Sequence, residues 1–501
     1  MGKIFMKHWI IIFLISVTLT EGCISLHSSS EIVTHLFDTP WEDRGLFYKG
    51  IVSSEQEILN ELPNATVYHI DLSISEDYLS LSGHEDVFYT NQEFHSLKKV
   101  YFRLFPNITG GKIFVTNMKI NSQKIEPFYE FQNSALCILL PSLLKPGESI
   151  IFHMDFDVEL PREQKSNYGL FGYFNDVLTL NDFYPVISVY DERGWNVEIP
   201  PPYGDMTYLD MSFYLVRVKA PKKLKLVTSG IEIGRINSGK YQITAFAAGP
   251  VRDFYIAGSE KYTVLTLKTG ETTVKSYTFL EDLSGGEKAI EFAANALDCY
   301  SRRFGAYPYT EFDIVSTPID VMGMEYPGII AVAIRLYNPK NLIENSSYDI
   351  LETVVAHETA HQWFYNIVGN DQLNEPWLDE SVVQYITYLY YKDLHGDIPA
   401  ENYSTSWKVL WDLTEKDKIP IGLPSKSYTK LSYVSIIYGR GPLFVRTLAE
   451  KMGEEAFDEF LCDYYNSYKW KIAKGDDFRR IAEEHCHCDL SILFEMWVYN
   501  N

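Results

Sequence analysis

The sequence predicts an all-β, sandwich-like first half followed by an α+β, mostly helical second half. Three observations carry this. In the first half apolar and polar residues alternate, as in residues 68–75 and again where Phe152, Met154, Phe156 and Val158 interleave with His153, Asp155 and Asp157; such period-two runs are half-buried antiparallel strands. From about residue 284 the period becomes helical, with Ile290, Ala293, Ala294, Leu297 and Tyr300 recurring on one face. The chain has 501 residues, 46% hydrophobic and 15% aromatic. That is enough for more than one core, and it excludes a disordered tail or a small disulfide scaffold.

At the start, Lys3 and Lys7 precede an apolar run over 9–17, continued by Thr18 and Leu19. The run is short for a membrane span, so 1–22 reads as a secretory signal, with an uncleaved anchor as the alternative. Gly22-Cys23 behind it is similar to a lipoprotein cleavage box, although Thr20 and Glu21 depart from that pattern. Lipidation of Cys23 and simple cleavage or retention both stay open. Residues 23–30, with Ser28-Ser29-Ser30, suit a tether. The expected location is extracytoplasmic and membrane-anchored, by the signal anchor or a lipoprotein lipid; secretion is the alternative.

A β domain is expected over 31–258, with further strands at 100–105, 113–120 and 213–219. The second domain is expected over 259–501. Ser284-Gly285-Gly286-Glu287 reads as a capping box, and Gly305 and Pro308 stop the helix behind it. A short strand follows at 312–315, then a helix over 347–366. Another begins near Pro376, where a missing amide hydrogen costs nothing. Further helices are expected at 443–451 and 456–464. Lys and Arg number 44 against 67 Asp and Glu, a net charge of −23, which argues against a nucleic-acid binder. Of the six Cys, Cys137, Cys299 and Cys462 lie in apolar contexts. His485-Cys486-His487-Cys488 looks metal-like, but adjacent ligands in one short run rarely close a tetrahedral site, and one of its Cys is instead a candidate bridge to Cys462.

The chemistry concentrates at His357-Glu358-Thr359-Ala360-His361. On a helix, residues four apart share a face, so His357 and His361 are able to hold one metal. Glu358 is turned about 100° away, placed for a water beside the metal rather than the metal itself. Zinc with two His needs a third protein ligand and an open position. Glu380 stands 19 residues after His361, and a loop over 368–375 between two antiparallel helices returns it to the metal.

At these residues the chain resembles the gluzincin aminopeptidases, the family of aminopeptidase N and leukotriene hydrolase, whose pattern is H-E-x-x-H, eighteen residues, then E. Tyr438-Gly439-Arg440-Gly441 resembles the family's Tyr-x-(Lys/Arg)-Gly segment, and Met324-Glu325 the Met-Glu of G-A-M-E-N. Phe183-Tyr184-Pro185 and Val251-Arg252-Asp253-Phe254 look like parts of its N-terminal β domain. The resemblance implies a thermolysin-like catalytic domain and one Zn2+ per chain on His357, His361 and Glu380. It implies a metallopeptidase that removes N-terminal residues from peptides with a free N-terminus. Glu358 would be the general base and Tyr438 the oxyanion donor, with Tyr433 as a fallback. Glu325 would hold the substrate ammonium, and Gly323 and Met324 would line the peptide.

Met322 and Tyr326 stand where G-A-M-E-N has Gly and Asn. A zinc endopeptidase or other amide or ester hydrolase therefore stays open, as does an inactive surface binding protein. Gly323 and Gly328 suggest close backbone approach by a peptide. Long family members carry a further helical domain; only 121 residues follow Glu380. A two-domain form with a more open cleft is expected. Asn64, Asn107, Asn345 and Asn402 begin glycosylation sequons, and no Walker-type loop is present.

Overall fold

The structure, a computed structural model, describes residues 28–164, 167–338, 340 and 348–499. The expected signal or anchor at 1–22, Cys23 and the sequon at Asn345 lie outside them. Of the expected tether over 23–30, Ser28 to Ser30 are described. Ser28 caps helix α1 (Ser29–His35): its hydroxyl accepts from Glu31 N at 3.3 Å, while the Glu31 carboxylate accepts from Ser28 N at 2.8 Å. This reciprocal pair satisfies amides that the first turn leaves open.

Among the described residues the first half is built from four sheets. The largest has eight strands in the spatial order Ile231–Ser238, Tyr241–Val251, Ser212–Pro221, Thr66–Ile74, Ser80–Thr90, Ser149–Glu159, Lys112–Ile120 and Gln123–Lys124. In Ser149–Glu159 the buried positions alternate as the pattern requires, Phe152, Met154, Phe156 and Val158 facing the core. Each large apolar side chain so buried contributes roughly 1.5–3 kcal/mol. The sheet is not purely antiparallel. Thr66–Ile74 runs parallel to Ser212–Pro221, with Tyr68 opposite Tyr214 and their rings stacked at 4.7 Å. Parallel neighbours need a long crossover, and local periodicity carries no trace of such a partner. Two four-stranded sheets and a two-stranded one, Tyr190–Asp191 with Gly194–Trp195, complete this half; Ile256–Ser259 is the last strand along the chain in one of the four-stranded sheets.

The second half opens with a five-stranded mixed sheet, in the order Thr263–Thr269, Thr272–Thr278, Glu311–Thr317, Ile329–Ala333 and Gly323–Tyr326. Helix α2 (Leu283–Phe304) crosses between the parallel strands Thr272–Thr278 and Glu311–Thr317, and Gly305 ends it. The predicted capping box is absent. The helix begins at Leu283, with Asp282 at the N-cap and no side-chain cap. The glycines serve packing instead: a Cβ on Gly285 would stand 2.0 Å from the Tyr337 carbonyl oxygen, and one on Gly286 2.5 Å from Thr278.

Helices α3 (Asp349–Ala360), α4 (Glu380–His395), α5 (Asp397–Asp412), α6 (Gly441–Met452), α7 (Glu454–Tyr468) and α8 (Gly475–Cys486) are the long helices that follow, with shorter helical turns between and after them. The expected helix over 347–366 is shorter, because residues after Ala360 turn away. The helix expected from Pro376 starts at Glu380; Pro376 opens a lead-in turn in which Glu380 N donates to Pro376 O at 3.3 Å. Cys486 and Cys488 are bonded to each other, so the expected bridge to Cys462 does not form. His485 bonds Asp463 at 2.9 Å rather than a metal set. Among the described residues no helix is long and apolar enough to cross a membrane.

One side chain ties the halves together beside the site. Arg252 is buried, and its guanidinium donates to the carbonyls of Leu209, Tyr365, Asn366, Ile367 and Lys471 at 2.7–3.2 Å. Three of these carbonyls lie in the turn that follows α3.

Candidate active site and metal centre

The last two turns of α3, from Val354 to Ala360, are buried throughout. Tyr300 OH donates to Ala356 O at 3.0 Å and fixes this end of the helix. His361 sits at the C-cap with helical φ and ψ, so the four-residue spacing to His357 survives. Its Nδ1 lies 3.1 Å from Phe364 O. A carbonyl only accepts, so Nδ1 carries the proton and Nε2 presents its lone pair.

Glu380 is the first residue of α4, and its amide donates to the Asp379 side chain at 2.8 Å. The turn between α3 and α4 brings its Oε2 to 3.3 Å from His357 Nε2 and 3.5 Å from His361 Nε2; the two ring nitrogens are 3.3 Å apart. Tetrahedral zinc with bonds of about 2.0–2.1 Å spaces its donor atoms about 3.3 Å apart. Glu380 Oε2 is buried and makes no hydrogen bond. Donor type, spacing and this orphaned oxygen all fit zinc, and these three residues are the ones that would hold it.

The surroundings are acidic and dry. Asp205, Glu325, Glu358, Asp379 and Glu380 are all buried around the two imidazoles. Burial, and then Glu325, holds Glu358 well above the usual carboxylate range. Burial likewise lifts Asp205 and Glu325, and with Glu380 beside it Asp379 reaches about 7. On His361 burial works downward, but Glu325 and Glu380 outweigh it and raise the ring's proton affinity, the same pull that would draw a metal cation to Nε2. The site attracts positive charge and has little of its own.

Glu358 lies on the cleft side of α3 against the edge strand Gly323–Tyr326. A Cβ on Gly323 would stand 2.3 Å from Glu358 Oε1, so glycine there makes room for this carboxylate. The strand pairs on one side only, with Ile329–Ala333, and sets Gly323 against Glu358 and Glu325 beside Glu358 and His361, with Met324 between them in the chain. Gln362 locks it in place: its Nε2 donates to Tyr326 O and its Oε1 accepts from Gly328 N, both at 2.9 Å. Ligand atoms of Glu325, Glu358 and His361 lie within 4.8 Å of one another.

Tyr438 rides on a π-helical turn, Val434–Arg440, a form common at functional sites. Its hydroxyl donates to Glu380 Oε1. Arg440 braces the turn through the carbonyls of Ile419, Met496 and Trp497. Tyr433 packs nearby, ring centres 6.2 Å apart, but its hydroxyl is enclosed without a partner. Thus His357, His361, Glu380, Glu358, Glu325 and Tyr438 come together in one cluster, with Gly323 against Glu358 and Tyr433 packed beside Tyr438. Gln362, Gln372, Asp205 and Asp379 were not foreseen. Only the proximity of Gln362 and Asp379 to the metal motifs hinted at the first and last; nothing local marks the other two.

Residues 288–497 match the peptidase family M1 domain. Aminopeptidase M1-B of Oryza sativa subsp. japonica is 28% identical over 233 residues, 45% of this chain and 27% of that one. Endoplasmic reticulum aminopeptidase 2 of Homo sapiens is 24% identical over 394 residues, 70% of this chain and 37% of that one. The chain thus spans well under half the length of either relative. Among solved structures, the M1 zinc metallopeptidase of Deinococcus radiodurans superposes with a TM-score of 0.65 at 18% identity, covering 87% of this chain and 94% of that one. A mutant of that protein has been solved with a Tyr-Ser-Ala substrate. With its H-E-x-x-H and Glu380 arranged as described, the second half of the chain carries a peptidase family M1 domain, and this supports the resemblance to the gluzincin aminopeptidases.

Proposed function

We propose that this protein is a zinc-dependent aminopeptidase that removes N-terminal residues from peptides. The observation that carries this is the shared neighbourhood of Glu325, Glu358 and His361. It places a buried carboxylate, fit for an ammonium group, beside a candidate base and a candidate metal ligand. A peptide with its free amine on Glu325 has its first peptide bond next to Glu358.

His357, His361 and Glu380 would hold zinc, which would supply Lewis acidity to the scissile carbonyl and the attacking water. Glu358 accepts a proton from that water at its carboxylate and delivers it to the leaving amine nitrogen. Its raised proton affinity suits both steps. Tyr438 moves its hydroxyl hydrogen from Glu380 to the developing oxyanion. The edge strand holds the peptide backbone while the buried surroundings exclude bulk water.

The test uses paired peptides, free and N-acetylated, with wild type, Glu358→Gln and chelator-treated protein. Loss of single N-terminal residues from free peptides alone, abolished by mutation and by chelation, is expected. Internal cuts in both peptides would replace the exopeptidase reading with an endopeptidase. We take 31–258 and 259–501 as the two domains; the end of the first-half sheets at Ile256–Ser259 and the start of the next at Thr263–Thr269 support this. We also propose export and membrane anchoring through 1–22 or a lipid on Cys23, on the strength of the Lys-flanked apolar run. Recovery of the protein from the soluble cytosolic fraction would refute that.

A further inference from the structure

We infer that Gln372 is a positioning residue, which aims Glu325 at the substrate amine and keeps it apart from the acidic start of α4. The inference rests on the aminopeptidase reading and adds a residue to it. Gln372 Nε2 donates to Glu325 Oε1 at 3.2 Å and to Asp379 Oδ2 at 2.9 Å. Two carboxylates require donors, so the NH2 end of the amide must face them. Its Oε1 accepts from the Thr207 hydroxyl at 3.0 Å, and Thr207 pairs with Tyr365 OH at 2.6 Å. All five side chains are buried.

This chain of bonds has a consequence for Glu325. Gln372 is the side chain that hydrogen-bonds both Glu325 and Asp379, two buried carboxylates that repel each other. It pins Oε1 and leaves Oε2 for an ammonium group. Thr207 comes from the first half of the chain and Tyr365 from the turn after α3, so the amide cannot rotate away without breaking contacts on both sides. Asp379 in turn accepts from the amide of Glu380. One glutamine therefore sets the distance between the amine anchor and the helix that carries a metal ligand.

The test uses the full zinc-loaded protein and Gln372→Met, which keeps the length and removes both donors. L-leucine binding is measured by calorimetry, and peptide hydrolysis by kcat and KM. The expected result is about tenfold weaker leucine binding and about tenfold higher KM, with kcat changed far less and one zinc per chain retained. In a Glu325→Gln background the same substitution should add little, because the two residues act as a unit. Thr207→Val, which frees the far end of the amide, should show the same signature in smaller measure and guards against a misfolded first variant. Unchanged leucine binding and KM would overturn the inference. So would equal losses in the Glu325→Gln background, which would mark Gln372 as merely structural. Wild type that binds leucine but cleaves nothing would refute the aminopeptidase reading alone; wild type that does neither would refute both.

Discussion

Two clusters of histidine and carboxylate in this protein use the same residue types to opposite ends. On the outer face of the eight-stranded sheet, His84 pairs across strands with Asp155, and His153 with Asp86. There His84 Nδ1 meets Asp155 at 2.7 Å, its Nε2 meets Asp86 at 3.1 Å, and His153 Nδ1 meets Asp86 at 2.5 Å. A hydrogen sits in each contact, and Asp86 and Asp155 hold the His84 imidazole up to about 9. That cluster neutralises itself with its own protons. At His357, His361 and Glu380 three donor atoms instead converge on one point in a dry setting. Burial and convergent lone pairs, not composition, distinguish a metal centre from a surface ion-pair network.

The largest effect should come from the residue that only the buried cluster has. Glu358→Gln keeps the shape and the zinc ligands, and peptide hydrolysis should fall about 100- to 10,000-fold with zinc content unchanged. Loss of zinc in that variant would blur the distinction between base and ligand. Tyr438→Phe should lower kcat about 100- to 1,000-fold and leave KM nearly unaltered, as for a donor that acts on the oxyanion. An unchanged kcat would remove Tyr438 from the reaction.

Gly323→Ala sharpens the comparison by crowding rather than deleting. Its Cβ would meet Glu358 at 2.3 Å, so the base must shift, and a shift of about 1 Å costs about 100-fold in rate. Thermal stability should change much less than activity; parallel losses would mean the strand itself has come apart.

The smallest effect belongs to the exposed cluster. The folded pKa of His84, about 9, lies above its ordinary value of 6.5. Its contribution is therefore complete below pH 6.5 and is lost as pH rises through about 9. Because His84 is half exposed, solvent screening limits it to at most about 1 kcal/mol. His84→Asn should lower the melting temperature at pH 6 and match wild type at pH 9.5, with no effect on hydrolysis. A pH-independent difference would contradict the proton-linked account.

What could be read from the sequence follows the range of the interactions. The candidate zinc ligands were legible because two of them are one helical turn apart and Glu380 opens the next helix; both relations are local. The change from strand to helix near residue 284 was legible for the same reason. The parallel partner of Thr66–Ile74 was not, since it comes from a distant strand. Gln372 and Thr207 were invisible too, because their role arises only when the two halves of the chain meet. Ser284-Gly285-Gly286-Glu287 misled for a related reason: its glycines answer to Tyr337 and Thr278, not to the helix end.

The most direct test is zinc content, measured by mass spectrometry on purified protein equilibrated with zinc and then desalted. Wild type should hold one zinc per chain. His361→Ala and Glu380→Ala should each hold none, while the double variant His84→Ala, His153→Ala should hold one. Zinc retained after Glu380→Ala, or lost from the surface variant, would contradict the assignment of the metal to the buried cluster.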